Sequence, residues 1–327
     1  MKTRQGFLPA ERRAISLLAS IYAVRMLGLF MVLPVFFVHG ESLSGATPQL
    51  LGLAIGIYGL SQAFLQIPFG MLSDRFGRKP LIVFGLLIFI AGSIVAAVSE
   101  SVYGVIVGRF MQGAGAIASV LMAMISDLTR EEQRTKAMAT VGMTIGVSFA
   151  VALVVGPIIS ASTGLSGVFW LTAALAGAGL LLLSRLPNTV MKKRHLDTTL
   201  ITKSIGLVLT NRQLIRLNFG IFALHLLMTA LFVAAPNALI SEFQIDGKYH
   251  GYYYLGVIFL AFICMIPLII IGESRRKVAS VFKFAVALLT FSMVVEIWAT
   301  QNFVLFTFFL FLFFVAFNYL EATLRSL

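Results

Sequence analysis

Residues 70–80 read GMLSDRFGRKP, and four of these eleven residues are charged. The segments on either side, LAIGIYGLSQAFLQIPF (53–69) and LIVFGLLIFIAGSIVAAV (81–98), contain no charged residue. A helix needs about 20 mostly apolar residues to cross a bilayer. The pattern therefore predicts two membrane-spanning helices joined by a short charged loop.

The composition extends this prediction to the whole chain of 327 residues. Hydrophobic residues make up 59% and charged residues 12%, which is too little polar surface for a soluble protein of this size. Because the alternating pattern of membrane strands is absent, we predict an all-α integral membrane protein. The phenylalanine-rich last segment is expected to face lipid. Ten segments are predicted to span the membrane: 14–38, 50–72, 79–99, 102–126, 135–161, 166–186, 213–240, 250–272, 278–299 and 302–324.

The residues that give the chain its net charge of +12 are distributed as the predicted topology requires. When the N-terminus is placed in the cytoplasm, 22 of the 25 Lys and Arg residues fall on the cytoplasmic side. This distribution obeys the positive-inside rule and puts both termini in the cytoplasm. The basic excess therefore predicts no nucleic-acid partner. Cys264 is the single cysteine, so an internal disulfide is impossible and a metal cluster is not expected.

Proline positions suggest a parallel repeat of about 200 residues. Pro34 and Pro236 are 202 positions apart, and Pro68 and Pro267 are 199 apart. Both copies would run from the inside to the outside of the membrane, so the repeat is parallel. The second repeat lacks room for its last two helices, so we expect a chain that is truncated at the C-terminus. Three segments are predicted: an N-terminal six-helix bundle (1–186), a cytoplasmic linker (187–212) and an incomplete C-terminal four-helix bundle (213–327).

The cations of the opening stretch suit the end of a helix. The helix before it is predicted to end near Leu72, where unpaired carbonyls make the helix end negative. Three cations follow at once: Arg75, Arg78 and Lys79. Gly77 permits a turn with positive φ. Helix-end electrostatics alone can account for this part of the pattern.

Asp74 needs a further explanation, because a negative charge is unfavourable near a helix C-terminus. Its candidate partners are Arg75 and Arg78, or the positive N-terminus of another helix.

Few charged or titratable residues lie inside the predicted spans. Arg25 is near the middle of the first span and Arg109 lies within the fourth, so each either faces a partner or cavity, or snorkels to the interface. His225 suits proton exchange, although a lone histidine in an apolar helix is more often a hydrogen-bonded packing residue. Glu296 and Glu321 are near the ends of their spans. Two arginines within the spans, without a deep acid, would suit an anionic, zwitterionic or neutral ligand.

Three motifs resemble those of the major facilitator superfamily of secondary transporters. The loop GMLSDRFGRKPL resembles the family's signature between its second and third helices. The stretch GRFMQGAGAIA (108–118) is similar to its arginine-centred motif in the fourth helix. The stretch VVGPIISA (154–161) resembles the antiporter motif in part, since Ser160 and Ala161 replace the usual glycine pair. The combination is most similar to bacterial drug/proton antiporters.

The resemblance implies a gate at the cytoplasmic side. In this family the loop aspartate faces the start of the eleventh helix in the other half, and the loop cations contact an acid after the fourth helix. Because the eleventh helix is expected to be missing, we expect Asp74 to pair with Arg75, Arg78 or water. The implied gating residues are Gly70, Asp74, Arg75, Gly77, Arg78, Lys79, Asp127 and Arg134.

The resemblance also implies the function. It predicts a monomeric, multi-pass transporter of the bacterial cytoplasmic (inner) membrane that exports small lipophilic molecules or drugs by alternating access. The proton gradient would drive export without a cofactor or metal, and the partners would be lipid, substrate and protons. Translocation and proton coupling are assigned to Arg25, Arg109, Gln112 and His225, and helix bending to Gly156 and Pro157.

Two alternatives remain open from the sequence. The chain could be a transport-inactive fragment of such a transporter, or it could carry an anionic or neutral metabolite. An enzyme is not expected, because the sequence contains no carboxylate pair, metal-spaced His/Cys cluster or Ser/His/Asp arrangement.

Overall fold

The structure, a computed structural model, describes three stretches of the chain: 6–186, 210–274 and 277–324. Contacts divide the chain into two compact units, Met1–Arg194 and His195–Leu327. Most of the predicted linker, residues 187–209, lies outside the described residues. The predicted domain boundaries therefore stay a prediction.

Residues 6–186 of the N-terminal unit contain seven helices. They are α1 (Pro9–Val32), α2 (Phe36–Gly40), α3 (Pro48–Phe76), α4 (Arg78–Val98), α5 (Val102–Ala114), α6 (Ala118–Asp127) and α7 (Glu131–Ser184). Helix α1 packs along α7, while α4 lies between α5 and α7 and α3 lies against α5. Leu18, Ile82 and Leu121 are fully buried where these helices meet.

Gly77 is the one residue between α3 and α4. Its φ of 97° is closed to most side chains, and its N–H donates to Ser73 O at 3.0 Å. The predicted positive φ is thus confirmed. The predicted helix end near Leu72 is wrong by one turn, because α3 continues to Phe76 and ends only at Gly77.

The first predicted span, 14–38, is not one continuous helix. Helix α1 ends at Val32 and α2 begins at Phe36, with Pro34 between them. Proline has no N–H and its ring clashes with the preceding turn, so it ends the helical ladder here.

The fourth predicted span, 102–126, is also broken. Helix α5 ends at Ala114 and α6 begins at Ala118, and Gly115 between them has ψ 50°. The intervening backbone is buried, and Ile117 N–H donates to Gly115 O at 2.8 Å. Non-helical backbone at membrane depth is tolerated where protein buries it or where it lines a cavity.

Helix α7 contains two predicted spans. Its 54 residues would extend about 81 Å as one helix, far more than a bilayer is thick. Gly164 has φ 65° and ψ −164° and separates its two parts. Nine helical stretches of the described residues, with α5 and α6 counted together, are long and apolar enough to span a membrane. Since α7 supplies two spans, they correspond to the ten predicted segments.

The described part of the C-terminal unit contains four helices: α8 (Arg212–Ser241), α9 (Gly247–Ser274), α10 (Val278–Ala299) and α11 (Phe303–Leu324). Helix α11 packs against α9 and α10, so the expectation that its phenylalanines face lipid is largely wrong. A uniformly apolar helix carries no pattern that separates a lipid-facing side from a packed side. The buried phenylalanines are Phe306, Phe309, Phe313, Phe314 and Phe317.

Helices α4 and α5 approach most closely at two facing glycines. A Cβ atom on Gly92 would lie 2.6 Å from Gly108 O and 2.7 Å from Gln112 N. Both contacts are with backbone atoms that cannot rotate away. The separation of these two helices is therefore set by the absence of side chains at the contact.

We predict that Gly92→Ala destabilises the protein by about 1–3 kcal/mol, the usual cost of overpacking. Gly142→Ala in α7 is the matched control, because nothing lies within 4 Å of a Cβ at that position. Alanine in an open helical position stabilises by up to about 1 kcal/mol. Thermal unfolding of both variants in detergent measures the difference, and equal effects would contradict the close packing.

Candidate functional site

Arg25 in α1 is buried inside the N-terminal unit with 1% of its surface exposed. Its Nη2 donates to Gln62 Oε1 at 3.1 Å and to Gly115 O at 3.3 Å, which places the guanidinium beside the break between α5 and α6. The ring centroid of Phe89 is 5.8 Å away. Within the described residues, Arg25 Nε and Nη1 have no hydrogen-bond partner. A buried cation thus keeps two donor nitrogens unused.

Arg109 in α5 is equally buried, but its surroundings are different. Its Nε donates to Ala54 O at 3.3 Å and its Nη1 donates to Gln112 Oε1 at 2.9 Å. The guanidinium lies over the ring of Tyr58, 4.6 Å from the centroid. Gln112 in turn donates to Ser93 Oγ at 2.8 Å. These contacts join α3, α4 and α5 through the two predicted site residues Arg109 and Gln112.

Arg78 is the centre of the charged junction between α3 and α4. Its Nη1 contacts Asp74 Oδ1 and Ser73 Oγ, both at 2.5 Å, and its Nε donates to Asp127 Oδ2 at 3.1 Å. The expected pairing of Asp74 with a cation of its own loop is therefore present, and Arg78 is that cation. Asp127, the acid that the family resemblance implied, shares it.

The other predicted gating residues lie at the same end of the N-terminal unit. Gly70 of α3 lies beside α6, since a Cβ there would be 3.7 Å from Ser119 Oγ. The three remaining cations contact separate groups: Arg75 the ring of Phe76 at 5.4 Å, Lys79 the carbonyl oxygen of Leu186 at 2.8 Å and Arg134 the carbonyl oxygen of Ser126 at 3.3 Å.

His225 lies in the C-terminal unit, on α8. Its Nδ1 is 2.9 Å from Ile221 O, and its Nε2 is 3.9 Å from Glu321 Oε2 on α11. That distance suits an ion pair and is too long for a hydrogen bond. The sequence placed Glu321 near the end of its span, three residues before α11 ends, yet its side chain reaches His225. The two residues form a pair that sequence reasoning did not predict, because they are 96 positions apart.

Gly156 and Pro157, predicted to bend a helix, lie within a helical part of α7. A Cβ on Gly156 would lie 2.6 Å from Met31 O, so this position is where α7 approaches α1 closely. The departure from helical dihedral angles in α7 occurs at Gly164 instead. The bending role during transport stays a prediction.

Sequence reasoning missed a contact between α1 and the start of α7. Glu11 accepts hydrogen bonds from Arg130 Nε at 2.9 Å, Nη2 at 3.1 Å and backbone N–H at 2.9 Å. The hydrogen bond to Glu11 raises the pKa of Arg130. These residues are 119 positions apart, so no local pattern predicts their contact. Gln62 and Gln66 were also missed, although two amides four residues apart in an apolar helix are a visible signal.

Comparison with known proteins identifies the family to which this architecture belongs. The Major Facilitator Superfamily model matches residues 18–327. The chain is 47% identical over 320 residues to the inner membrane transport protein YajR of Escherichia coli, covering 98% of this chain and 70% of that protein. It is 29% identical over 163 residues to multidrug resistance protein MdtL of Shewanella oneidensis, covering 49% of this chain and 40% of that protein.

A solved structure shows the same fold. It is a bacterial homolog of the human lysosomal transporter Spinster in an inward-facing, occupied conformation. The TM-score is 0.76 at 13% sequence identity, over 98% of this chain and 75% of that chain.

The fold and these matches define a helical, multi-pass membrane transporter. The chain belongs to the major facilitator superfamily. The predictions of family, of an all-α membrane fold, of a transporter rather than an enzyme and of the bacterial inner membrane are confirmed by the family and its relatives. Its surroundings are the lipid bilayer, and its cargo is a small molecule.

We predict that the two buried arginines contribute differently to stability. Arg109→Met leaves Gln112 Oε1 without its donor at a fully buried position, and an unpaired buried polar group costs about 1–3 kcal/mol. Arg25→Met leaves a less buried acceptor, Gln62 Oε1, without its donor. It also removes a cation that has two unpaired donor nitrogens. Arg109→Met should therefore be less stable than Arg25→Met by about 1–3 kcal/mol, as measured by thermal unfolding in detergent. The reverse order would contradict the assigned contacts.

Proposed function

We propose that this transporter exports small lipophilic molecules in exchange for protons by alternating access. The observation that carries the coupling is the 3.9 Å approach of His225 to Glu321 inside the C-terminal unit. The reference pKa of histidine allows proton exchange near neutral pH, and ionisable residues in membrane spans commonly form proton pathways. MdtL, a more distant relative, is called a multidrug resistance protein, which supports drug-like cargo.

Proton binding changes the charge of this pair. With a proton on His225, the imidazolium and the Glu321 carboxylate sum to zero. Without that proton, the pair carries one negative charge. Protonation of His225 therefore changes the electrostatic interaction between α8 and α11, and with it the relative free energies of two states in which these side chains are placed differently. When the proton stabilises one of these states and the substrate stabilises the other, binding of one promotes release of the other. The proton and the substrate are then exchanged across the membrane.

We predict that His225→Gln and Glu321→Gln abolish proton-driven flux. Proteoliposomes with an imposed pH gradient are given tetracycline, ethidium and 1-naphthoate, which are a zwitterion, a cation and an aromatic carboxylate. Wild type should move at least one of them with protons. Both variants should fall to the level of empty liposomes while still exchanging substrate for substrate.

His39→Gln is the matched control, because His39 lies at the end of α2 in the N-terminal unit, whereas the His225–Glu321 pair belongs to the C-terminal unit. It should keep proton-driven flux. Wild type that moves none of the compounds in exchange for protons, or His225→Gln that retains full coupling, would contradict the proposal.

The charged junction is proposed as a gate. Arg78 holds Asp74 of α3 and Asp127 of α6 together, and all three side chains are partly exposed. Exposed ion pairs contribute about 0.2–1 kcal/mol each, enough together to change an open-to-closed equilibrium by about tenfold. If Asp74 or Asp127 changes partners between the open and the closed state, these small energies are sufficient to operate the gate.

Arg78→Gln is therefore expected to reduce flux by about tenfold, through a changed balance of states and not through lost substrate binding. Arg75→Gln serves as control, since Arg75 makes no ion pair within the described residues. Flux and equilibrium binding are measured on the same preparations. Equal flux for the two variants would argue against a gate centred on Arg78.

A further inference from the structure

We infer that Arg25 binds an anionic group of the substrate: a carboxylate, sulfonate or phosphate carried on a lipophilic body. This inference rests on the proposed export function and names the substrate class at a site inside the N-terminal unit. It assigns different roles to two arginines that sequence reasoning had treated alike.

The first argument concerns the hydrogen-bond donors of Arg25, most of which have no acceptor within the described residues. Arg25 is 1% exposed, yet two of its three nitrogens have no acceptor within the described residues. A buried charge is costly unless it is paired and hydrogen-bonded. Arginine presents its donors in a planar fork that matches carboxylate and phosphate oxygens. An incoming anion would supply both the missing acceptors and the missing negative charge.

Arg109 provides an internal comparison. It is buried to the same degree in the same unit, but its Nε and Nη1 both have protein acceptors and its face is covered by Tyr58. These neighbours belong to the contacts that join α3, α4 and α5. Arg109 therefore positions helices, whereas Arg25 retains donors for a ligand.

The second argument is the broken helix beside Arg25. Helix α6 starts at Ala118, and its N-cap residue Ile117 contributes no side-chain hydrogen bond. The first N–H groups of a helix have no partner within the helix, and its N-terminus is positive. Arg25 contacts the same break from its other side, through the carbonyl oxygen of Gly115, the C-cap residue of α5. Half-helix N-termini at membrane depth are used by transporters to face anionic groups.

The third argument is the absence of a competing acid near this position. The Asp and Glu residues described in the N-terminal unit lie in first or last turns of helices or in connections. None accepts a hydrogen bond from Arg25 among the contacts of the described residues. The positive potential around Arg25 is therefore left for a ligand to neutralise.

The surroundings indicate an entry route and an apolar body. Gln62 and Gln66 lie on one side of α3, joined at 3.3 Å, and both are partly exposed. They form a polar path from the surface of the unit to Arg25. Phe89 offers its ring 5.8 Å from the guanidinium. A lipophilic anion can place its charge at Arg25 while its apolar part stays among the apolar side chains beside this path.

The test compares 1-naphthoate with its neutral isostere 1-naphthamide, by calorimetric binding to the whole purified chain in detergent. Wild type should bind naphthoate at least about tenfold more tightly, because hydrogen bonds to charged groups discriminate by this much or more. Arg25→Gln should reduce the preference to less than about twofold. Arg13→Gln, an exposed arginine on the same helix, should leave it unchanged.

A second variant keeps the test independent of whether Arg25→Gln folds. Gln62→Glu places a carboxylate where Gln62 Oε1 now accepts from Arg25. This internal anion should weaken naphthoate binding by at least about tenfold and leave naphthamide binding within about twofold. Unfolding temperatures close to that of wild type verify that each variant is folded.

The inference is overturned if wild type shows no preference for naphthoate, or if the preference persists in both variants. Its failure is distinguishable from failure of the proposed function. Binding that depends on Arg25 without any proton-driven flux supports the anion site and contradicts proton-coupled export. Proton-driven flux of ethidium with no Arg25-dependent anion binding supports export and overturns the anion site alone.

Discussion

A polar group inside a bilayer must find its partners within the protein, and this constraint organises the N-terminal unit. Arg109 satisfies it by donating to Ala54 O and Gln112 Oε1, and it joins three helices in doing so. Arg25 satisfies it only in part, through Gln62 and Gly115. The difference between the two guanidinium groups separates a residue that holds helices together from a residue that can accept a ligand.

The broken fourth span belongs to the same account. Non-helical backbone is expensive at membrane depth, yet the segment between α5 and α6 is buried and Gly115 directs its carbonyl toward Arg25. The break leaves helix N-terminal N–H groups and a buried cation at one level of the unit. Together they form a positive site in a region without a described acid.

Sequence patterns predicted the features that depend on local chemistry. The ten spans follow from segment length and hydropathy, and the positive φ of Gly77 follows from glycine between two helices. The contact of Arg78 with Asp127 was reached through family resemblance. The extra turn of α3 to Phe76 was missed because helices end where hydrogen bonding stops, and Leu72 gives no reason to stop.

Features set by packing between distant segments could not be predicted. Arg25 and Arg109 give the same signal in the sequence, since each is a single cation within an apolar span. Only the packing of α3 and the break between α5 and α6 distinguish them. The approach of Glu321 to His225 and the burial of Phe313 depend on how α11 packs against its neighbours. A uniformly apolar helix contains no information about which of its sides is covered.

The most direct measurement is an experimental structure of the protein with a brominated naphthoate, in which the anomalous signal of bromine locates the ligand. The account predicts the carboxylate within hydrogen-bond distance, about 2.7–3.2 Å, of Arg25 Nε or Nη1. It also predicts that Arg109 keeps its contacts to Ala54 and Gln112. A ligand bound elsewhere, with both of those Arg25 nitrogens hydrogen-bonded to protein atoms, would contradict the central claim.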